Sequence, residues 1–301
     1  MSAEVSVNAR FHAPPDDLRR FFTTFYVTEI EVPGGGQLAD SLQPEWGNLR
    51  FFSRGVPVSW FEGSEVVRDT DFTATGPSSR PAHFTMPTSR FWGVGLLPIG
   101  WAQFIRLPAA DHVNMLVDGH RHPTFTRFAP LASSLFGPEP DEMAEYDRLV
   151  AFFRGLLKLP TPDEQRITAI HAALVDPQLC TVTELVDRVG ASQRTIERIC
   201  HRAFGFSPKL LLRRQRFMRS LSQFMLDPSL KWIGAIDWQY HDQAQFVRDF
   251  REFMGMSPRE YANTPHPVLE KFIQLRARVA GAPVQTMDSP DRHELPQATA
   301  N

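Results

Sequence analysis

Asp242–Tyr261 reads DQAQFVRDFREFMGMSPREY, and its ending, FMGMSPREY at Phe253–Tyr261, has a forerunner in AFGFSPKLL at Ala203–Leu211. The two endings lie fifty positions apart. Upstream of them, Ser192 meets Asp242, Gln193 meets Gln243 and Arg198 meets Arg248 at the same offset. Ile196, Cys200 and Ala203 likewise meet Phe246, Phe250 and Phe253. Each matched class has a reason. Ser192 and Asp242 are N-cap types, whose side-chain oxygens accept from free backbone N–H groups. The apolar triplets fall at i, i+4 and i+7, one face of a helix. Gly205 and Gly255 stand where a helix ends left-handed, and Ser-Pro then opens the next helix.

Two helices are therefore written to one plan, each preceded by a shorter one: Val182–Val189 before Gly190, and Trp232–Trp238 before Gln239-Tyr240-His241. Helix, tight turn, helix is the helix-turn-helix plan. The long segment Pro208–Leu226 joins the two. Two copies are too few for a self-supporting solenoid.

Working outward, 301 residues suffice for two domains. Residues 1–136 are rich in Phe, Trp, Pro and Gly. Leu49–Phe52, Val56–Phe61, Ala82–Met86 and Phe91–Leu97 read as strands between turn formers, and Asp16–Val27 as a helix leading into a strand. Residues 137–162 hold an amphipathic linker helix, Glu142–Leu159, with Met143, Tyr146, Leu149, Val150, Phe153 and Leu157 on one side. This helix can pack on the N-terminal half or pair with a second copy. Residues 163–264 are almost wholly helical, 265–280 form a C-terminal helix, and 281–301 read as a disordered tail. The expected fold class is α+β: a mainly β, barrel-like domain, then an all-α domain with two helix-turn-helix units joined by a long helix.

The net charge of −2 hides a local excess. Thr181–Ser220 carries nine basic residues against three acids, suited to a polyanion or to a solvated helix face. Two cysteines, Cys180 and Cys200, cannot build a disulfide scaffold and fit a reducing cytosol. The N-terminus lacks the features of a signal peptide. Phe91–Ile105 is too short and too broken by Gly and Pro to span a membrane, so a cytoplasmic location is expected.

At this point the sequence resembles the DNA-binding domain of the AraC/XylS family of bacterial transcription regulators. The resemblance covers roughly residues 163–262 and rests most on Asp242–Tyr261. It departs from the family at the turns. The usual Ala and Gly, four apart, are Val186 and Gly190 in the first unit and Ala235 and Gln239 in the second. A left-handed Gln239 would cost about 1 kcal/mol relative to Gly. More weakly, VPGGGQLADSLQPEWGNLRFF, GPSSRPAHF and FWGVGLLPIGWAQFI resemble a sensor-like domain that often precedes this module, so 1–136 is expected to sense or oligomerise.

The resemblance implies a sequence-specific regulator on double-stranded DNA, with base-reading residues in the first two turns of each second helix. Carried over position by position, these are Arg194, Glu197 and Arg198, then Gln243, Ala244, Gln245 and Arg248. Arg can bond guanine bidentately, Gln can bond adenine, Glu can accept from cytosine, and Ala can touch a thymine methyl. Glu197 can equally orient its arginine neighbours, and Arg248 can equally meet phosphate. Gln193, Arg202, Arg213, Arg214 and Arg251 are the candidate phosphate contacts. RNA polymerase, a small-molecule effector and a second copy of the chain are further expected partners. No cofactor is implied.

The rival reading is a DNA-tethered enzyme or a metal-binding barrel. DGHRHP sets Asp118, His120 and His122 close together, with His112 nearby, but no further ligand set completes a metal site, and none is expected. The sequence has no Gly-rich phosphate loop and no nucleophile elbow, and Cys200 falls on an inward helix face. An enzyme is not expected. The aromatic residues of 1–136 can line an effector pocket or simply form core.

Overall fold

The computed structural model describes residues 5–157 and 160–290. Its strands are β1 Ser6–His12, β2 Phe22–Glu31, β3 Leu38–Leu42, β4 Asn48–Arg54, β5 Val58–Phe61, β6 Phe72–Thr75, β7 Ala82–Met86, β8 Ser89–Leu96 and β9 Leu116–Asp118. Its helices are α1 Asp16–Arg19, α2 Pro98–Gly100, α3 Ala129–Ser134, α4 Glu142–Gly155, α5 Glu164–Val175, α6 Val182–Val189, α7 Gln193–Ile199, α8 Pro208–Leu226, α9 Lys231–Ala235, α10 Gln243–Met254, α11 Pro258–Asn263 and α12 Pro267–Ala280.

The strands form a six-stranded antiparallel sheet, ordered β1-β2-β8-β4-β6-β9, and a three-stranded one, β3-β7-β5. This corrects the barrel expectation: among the described residues no ladder of named strands closes the two sheets on each other. Helix α12 packs on β1 and β3 instead. Its Phe272 ring lies 5.0 Å from Phe11 and 4.9 Å from Tyr26. Asp40 on β3 anchors the start of α12, its Oδ2 accepting from the backbone N–H groups of Val268 and Leu269 at 2.9 Å each.

The linker helix α4 packs on the large sheet. Glu145, 1% exposed, accepts from Arg90 at 3.0 and 2.6 Å and from the Trp92 indole at 2.6 Å. A buried carboxylate needs such donors, and here three side-chain bonds supply them. Glu142 receives Arg10 and His12 from β1. Lys158 and Leu159, the end of the expected helix, lie outside the described residues.

The aromatic load of the first half is mostly core. Phe22, Phe25, Phe104 and Phe153 pack ring against ring beneath the large sheet. That core runs on without a break into the helical half through Trp46, Trp101, Ile170, Ile196, Phe204 and Leu211. A second core gathers α8, α10, α11 and α12 around Phe217, Phe250, Phe253 and Tyr261.

The expected tail departs from expectation in its first part. Val284, Gln285, Thr286 and Asp288 are buried, and Gln215 of α8 donates to the Thr286 carbonyl at 2.6 Å. Residues 291–301 lie outside the described residues. No described helix is long and apolar enough to cross a membrane.

Candidate nucleic-acid interface

The first unit is α6, a turn, and α7. Thr181 and Glu184 form a reciprocal capping box at the start of α6, and Gly190 ends it at φ 67°. Ser192 then caps α7, accepting from the Thr195 N–H. Ile196, Ile199 and Cys200 face inward, and burial pushes the Cys200 thiol up to about 12, so it packs as an apolar group. The helix closes in a π turn, Cys200–Phe204, and Gly205 reverses the chain at φ 87°.

The second unit is α9, a longer turn, and α10. Asp242 caps α10 by accepting from the Gln245 N–H at 2.6 Å, and Gln245 answers by accepting from the His241 N–H at 3.1 Å. Phe246, Phe250 and Phe253 are buried, and Gly255 ends the helix at φ 70°. The helix ahead is shorter than expected: it stops at Ala235, and Ile236 is extended. Gln239 is not left-handed; besides Gly255, Lys231 is the described residue in that unit with positive φ, 52°. Gln239 instead ties the turn to its surroundings. It accepts from Arg219 at 2.9 Å and donates to the Pro177 carbonyl at 2.7 Å.

Gln193, Arg194, Glu197, Arg198 and Arg202 are exposed on the first unit, and Gln243, Ala244, Arg248 and Arg251 on the second; Gln245 is half-buried. Three of the readers already have partners, Gln245 through the bond it accepts from His241. Arg198 donates to Asp163 at 2.7 Å, which holds that carboxyl below its usual range. Glu197 accepts from Gln193 at 2.9 Å rather than from Arg194 or Arg198.

The basic residues of α8 behave differently from the phosphate contacts expected of Arg213 and Arg214. Arg214 is fully buried. Its guanidinium lies 4.0 Å from the Trp46 ring centroid and donates to the Ser78 carbonyl at 2.8 Å. Burial draws its pKa down to about 9. It cannot reach a phosphate, because it is taken up in joining α8 to the N-terminal half. Arg213 bonds Asp249 at 2.6 Å and Glu252 at 2.5 Å. Burial opposes its charge, but the two carboxylates outweigh burial and raise its pKa. Asp249, 2% exposed, also accepts from Arg216 at 2.9 Å and from the Tyr240 hydroxyl at 3.1 Å. Arg219 bonds Asp237 at 2.5 Å. Much of the local basic excess is therefore internal wiring between α8 and the second unit.

Sequence reasoning missed Asp163, Asp249 and Trp46. Asp249 left a trace: it is an acid beside the apolar face of α10, facing a run of arginines on the neighbouring helix. Asp163 and Trp46 left none, because their partners lie 35 and more than a hundred residues away.

The histidines of DGHRHP and the nearby His112 find protein partners, His122 by accepting from the Thr124 N–H at 3.4 Å. His120 meets Asp71 at 2.6 Å, and His112 meets the Pro108 carbonyl and the Thr124 hydroxyl at 3.0 and 2.9 Å. Among the described residues no group of three or more His, Cys, Asp and Glu is placed to hold a metal.

Comparison with known proteins adds the following. A family model described as a helix-turn-helix domain matches residues 185–264. No curated protein matches the chain. Among solved structures, the chain is similar to ToxT from Vibrio cholerae O395 bound to (E)-4-(8-methylnaphthalen-1-yl)but-3-enoic acid, with 11% identity, TM-score 0.42, and coverage of 86% of this chain and 98% of that one. It is also similar to unsaturated fatty acid bound wild-type ToxT from Vibrio cholerae strain SCE256, with 11% identity, TM-score 0.38, and coverage of 86% and 94%. The AraC-like transcriptional activator CuxR follows at 15% identity and TM-score 0.24, with coverage of 71% and 86%. The residues matched by the helix-turn-helix domain model, 185–264, hold both α7 and α10.

Proposed function

We propose that this protein is a sequence-specific transcription regulator that inserts α7 and α10 into successive major grooves of double-stranded DNA. The observation that carries the reading is the matched pair of capped helices. Each buries an apolar face and exposes polar side chains from its first two turns, and α8, buried at ten positions, holds the pair together. Arg194, Glu197 and Arg198 read one element. Gln243, Ala244, Gln245 and Arg248 read another of different sequence. Gln193, Arg202 and Arg251 meet phosphates, and Arg213 can join them only by leaving its carboxylates.

Two readers on one rigid brace engage sites about one helical turn, ~10 bp, apart on one face of the duplex. Bending DNA to present both costs on the order of 1–6 kcal/mol. The N-terminal half modulates affinity, through a small-molecule effector, contact with RNA polymerase or pairing with a second copy, and the protein works in the cytoplasm. The unbroken core between the halves supports such coupling.

The test is selection of bound sequences from a random DNA pool by the full-length protein. Two short, unlike elements about a turn apart are expected. A pool that stays random after repeated rounds overturns the reading.

A further inference from the structure

The two helix-turn-helix units close their turns differently. In the first, Gly190 turns the chain by itself at φ 67°, and a Cβ placed there would meet nothing within 4 Å. In the second, none of residues 237–241 is left-handed, so side chains must hold the turn. The Asp237 N–H donates to the Ser220 hydroxyl of α8 at 2.8 Å. The Asp237 carboxylate accepts from Arg219 at 2.5 Å and from the Gln239 N–H at 3.0 Å. Gln239 then reaches out of its own unit. Its Nε2 donates to the Pro177 carbonyl at 2.7 Å and to the Leu179 carbonyl at 3.4 Å, while its Oε1 accepts from Arg219 at 2.9 Å. Carbonyls on one side and a guanidinium on the other fix which way the amide lies.

Pro177 and Leu179 belong to the loop that enters α6, and that loop is tied to the first unit. Asp176 accepts from the Gln178 N–H at 2.8 Å and from Arg188 of α6. The Leu179 N–H donates to the Asp176 carbonyl at 3.2 Å, and the Leu179 side chain is buried. Among the described residues, the hydrogen bonds running directly from residues 176–205 to residues 228–255 are the two from Gln239.

The other link between the units is α8. Its 19 residues span about 28 Å. A helix of that length holds its length well but curves gently, and a bend in α8 changes the angle between α7 and α10. A second link beside it closes a triangle of Arg219, Gln239 and the entry loop. Hydrogen bonds suit this task because they weaken steeply off axis, where an apolar contact would slide.

We infer that Gln239 is a positioning residue, latching the turn of the second unit to the entry loop of the first and so fixing how α10 lies relative to α7. On DNA the consequence is selectivity for the spacing between the two elements, while the base preferred within each is left to the readers. One base pair more or less rotates the second element by about 35° around the duplex, which a latched pair follows less readily than an unlatched one. The spacing consequence rests on the proposed DNA-binding function; the latch does not.

Two measurements on the full-length protein test this with two variants. Gln239→Ala removes the amide. Gln239→Glu can still accept from Arg219 but cannot donate to the carbonyls, and it decides should Gln239→Ala not fold by circular dichroism. The first measurement needs no DNA. Nitroxide labels on Asp187→Cys in α6 and Arg259→Cys in α11, both exposed positions, report the distance between the units by pulsed electron resonance. Exposed Cys180 is replaced by Ser, and Cys200 is buried. The variants should broaden or shift the parent's distance distribution; an unchanged distribution overturns the inference. The second measures affinity for the selected site with one base pair added or removed between its elements. The penalty for wrong spacing should shrink by about threefold to tenfold, the net worth of one hydrogen bond, with single-base preferences unchanged. Equal weakening at every spacing would make Gln239 merely structural and overturn its positioning role. A parent that selects no DNA sequence removes the regulator reading, and the distance measurement still decides the latch.

Discussion

The guanidinium of Arg214 lies 4.0 Å from the centroid of the Trp46 ring, joining the helix between the two readers to the N-terminal half. The stack carries a cation on an aromatic face in a place without water, where such a contact is strongest. Its Nη1 bond to Ser78 fixes the direction of approach. Phe206 closes the other side, 5.5 Å from the same guanidinium.

This stack separates two kinds of arginine. Trp46→Ala should destabilise the protein by about 3–5 kcal/mol, the cost of emptying a buried aromatic site. Arg214→Ala should also lower stability, yet leave the salt dependence of DNA binding unchanged where the variant is folded. Arg202→Ala should leave stability alone and reduce the slope of log affinity against log salt by about one. Equal slopes for Arg202→Ala and the parent would remove Arg202 from the phosphate contacts.

Arg198 must release Asp163 before it can reach a base. An ion pair this exposed is worth little, about 0–1 kcal/mol. Asp163→Asn should accordingly tighten specific DNA binding by about twofold to fivefold, and Asn tolerates the left-handed backbone at φ 62°. Binding isotherms at fixed salt measure this, and weaker binding would show that the pair orients Arg198 for DNA.

Arg194→Ala and Gln245→Ala should each relax preference at one base position, with a loss of about 1–3 kcal/mol on the best site. Binding to a set of single-base variants of the selected site measures it. Equal losses on specific and random DNA would assign either residue to the backbone.

His171 sits in the same junction, its ring 5.9 Å from Trp46 and 6.3 Å from Phe204. Burial, and then the charge of Arg214, draw its pKa from 6.5 to about 3. Between those values the unfolded chain binds a proton that the folded chain refuses. The contribution is therefore fully favourable above pH 6.5 and is lost as pH falls toward 3. Near pH 5 the loss is on the order of 2 kcal/mol. Denaturant melts from neutral to acid pH should show this slope, and His171→Phe should flatten it.

The paired glycines should differ. A Cβ on Gly255 meets nothing within 4 Å, so Gly255→Ala should cost about 1 kcal/mol for its left-handed φ of 70°. A Cβ on Gly205 would lie 2.7 Å from Val113 in the N-terminal half. Gly205→Ala should cost clearly more, and thermal melts of the two variants compare them directly.

The signals legible along the chain are local ones. Caps at Ser192 and Asp242, apolar positions one and two turns apart, and glycine followed by Ser-Pro set out α7, α10 and their supports within stretches of about twenty residues. Helix hydrogen bonds and caps close between near neighbours, so their signals lie side by side. Where those signals thinned, at Gln239, the expected helix ran past its true end. There the turn is held by the Pro177 carbonyl, 62 residues away.

Which charges face outward, and how the halves meet, followed from contacts between distant parts of the chain. Arg202 and Arg214 look alike in sequence, yet one is exposed and the other has no exposed surface. The two sheets, the seating of α12 on Asp40 and the burial of Val284–Asp288 depend in the same way on distant contacts. Side chains are sorted between water and core by whatever the fold brings against them, and no local pattern encodes that neighbour.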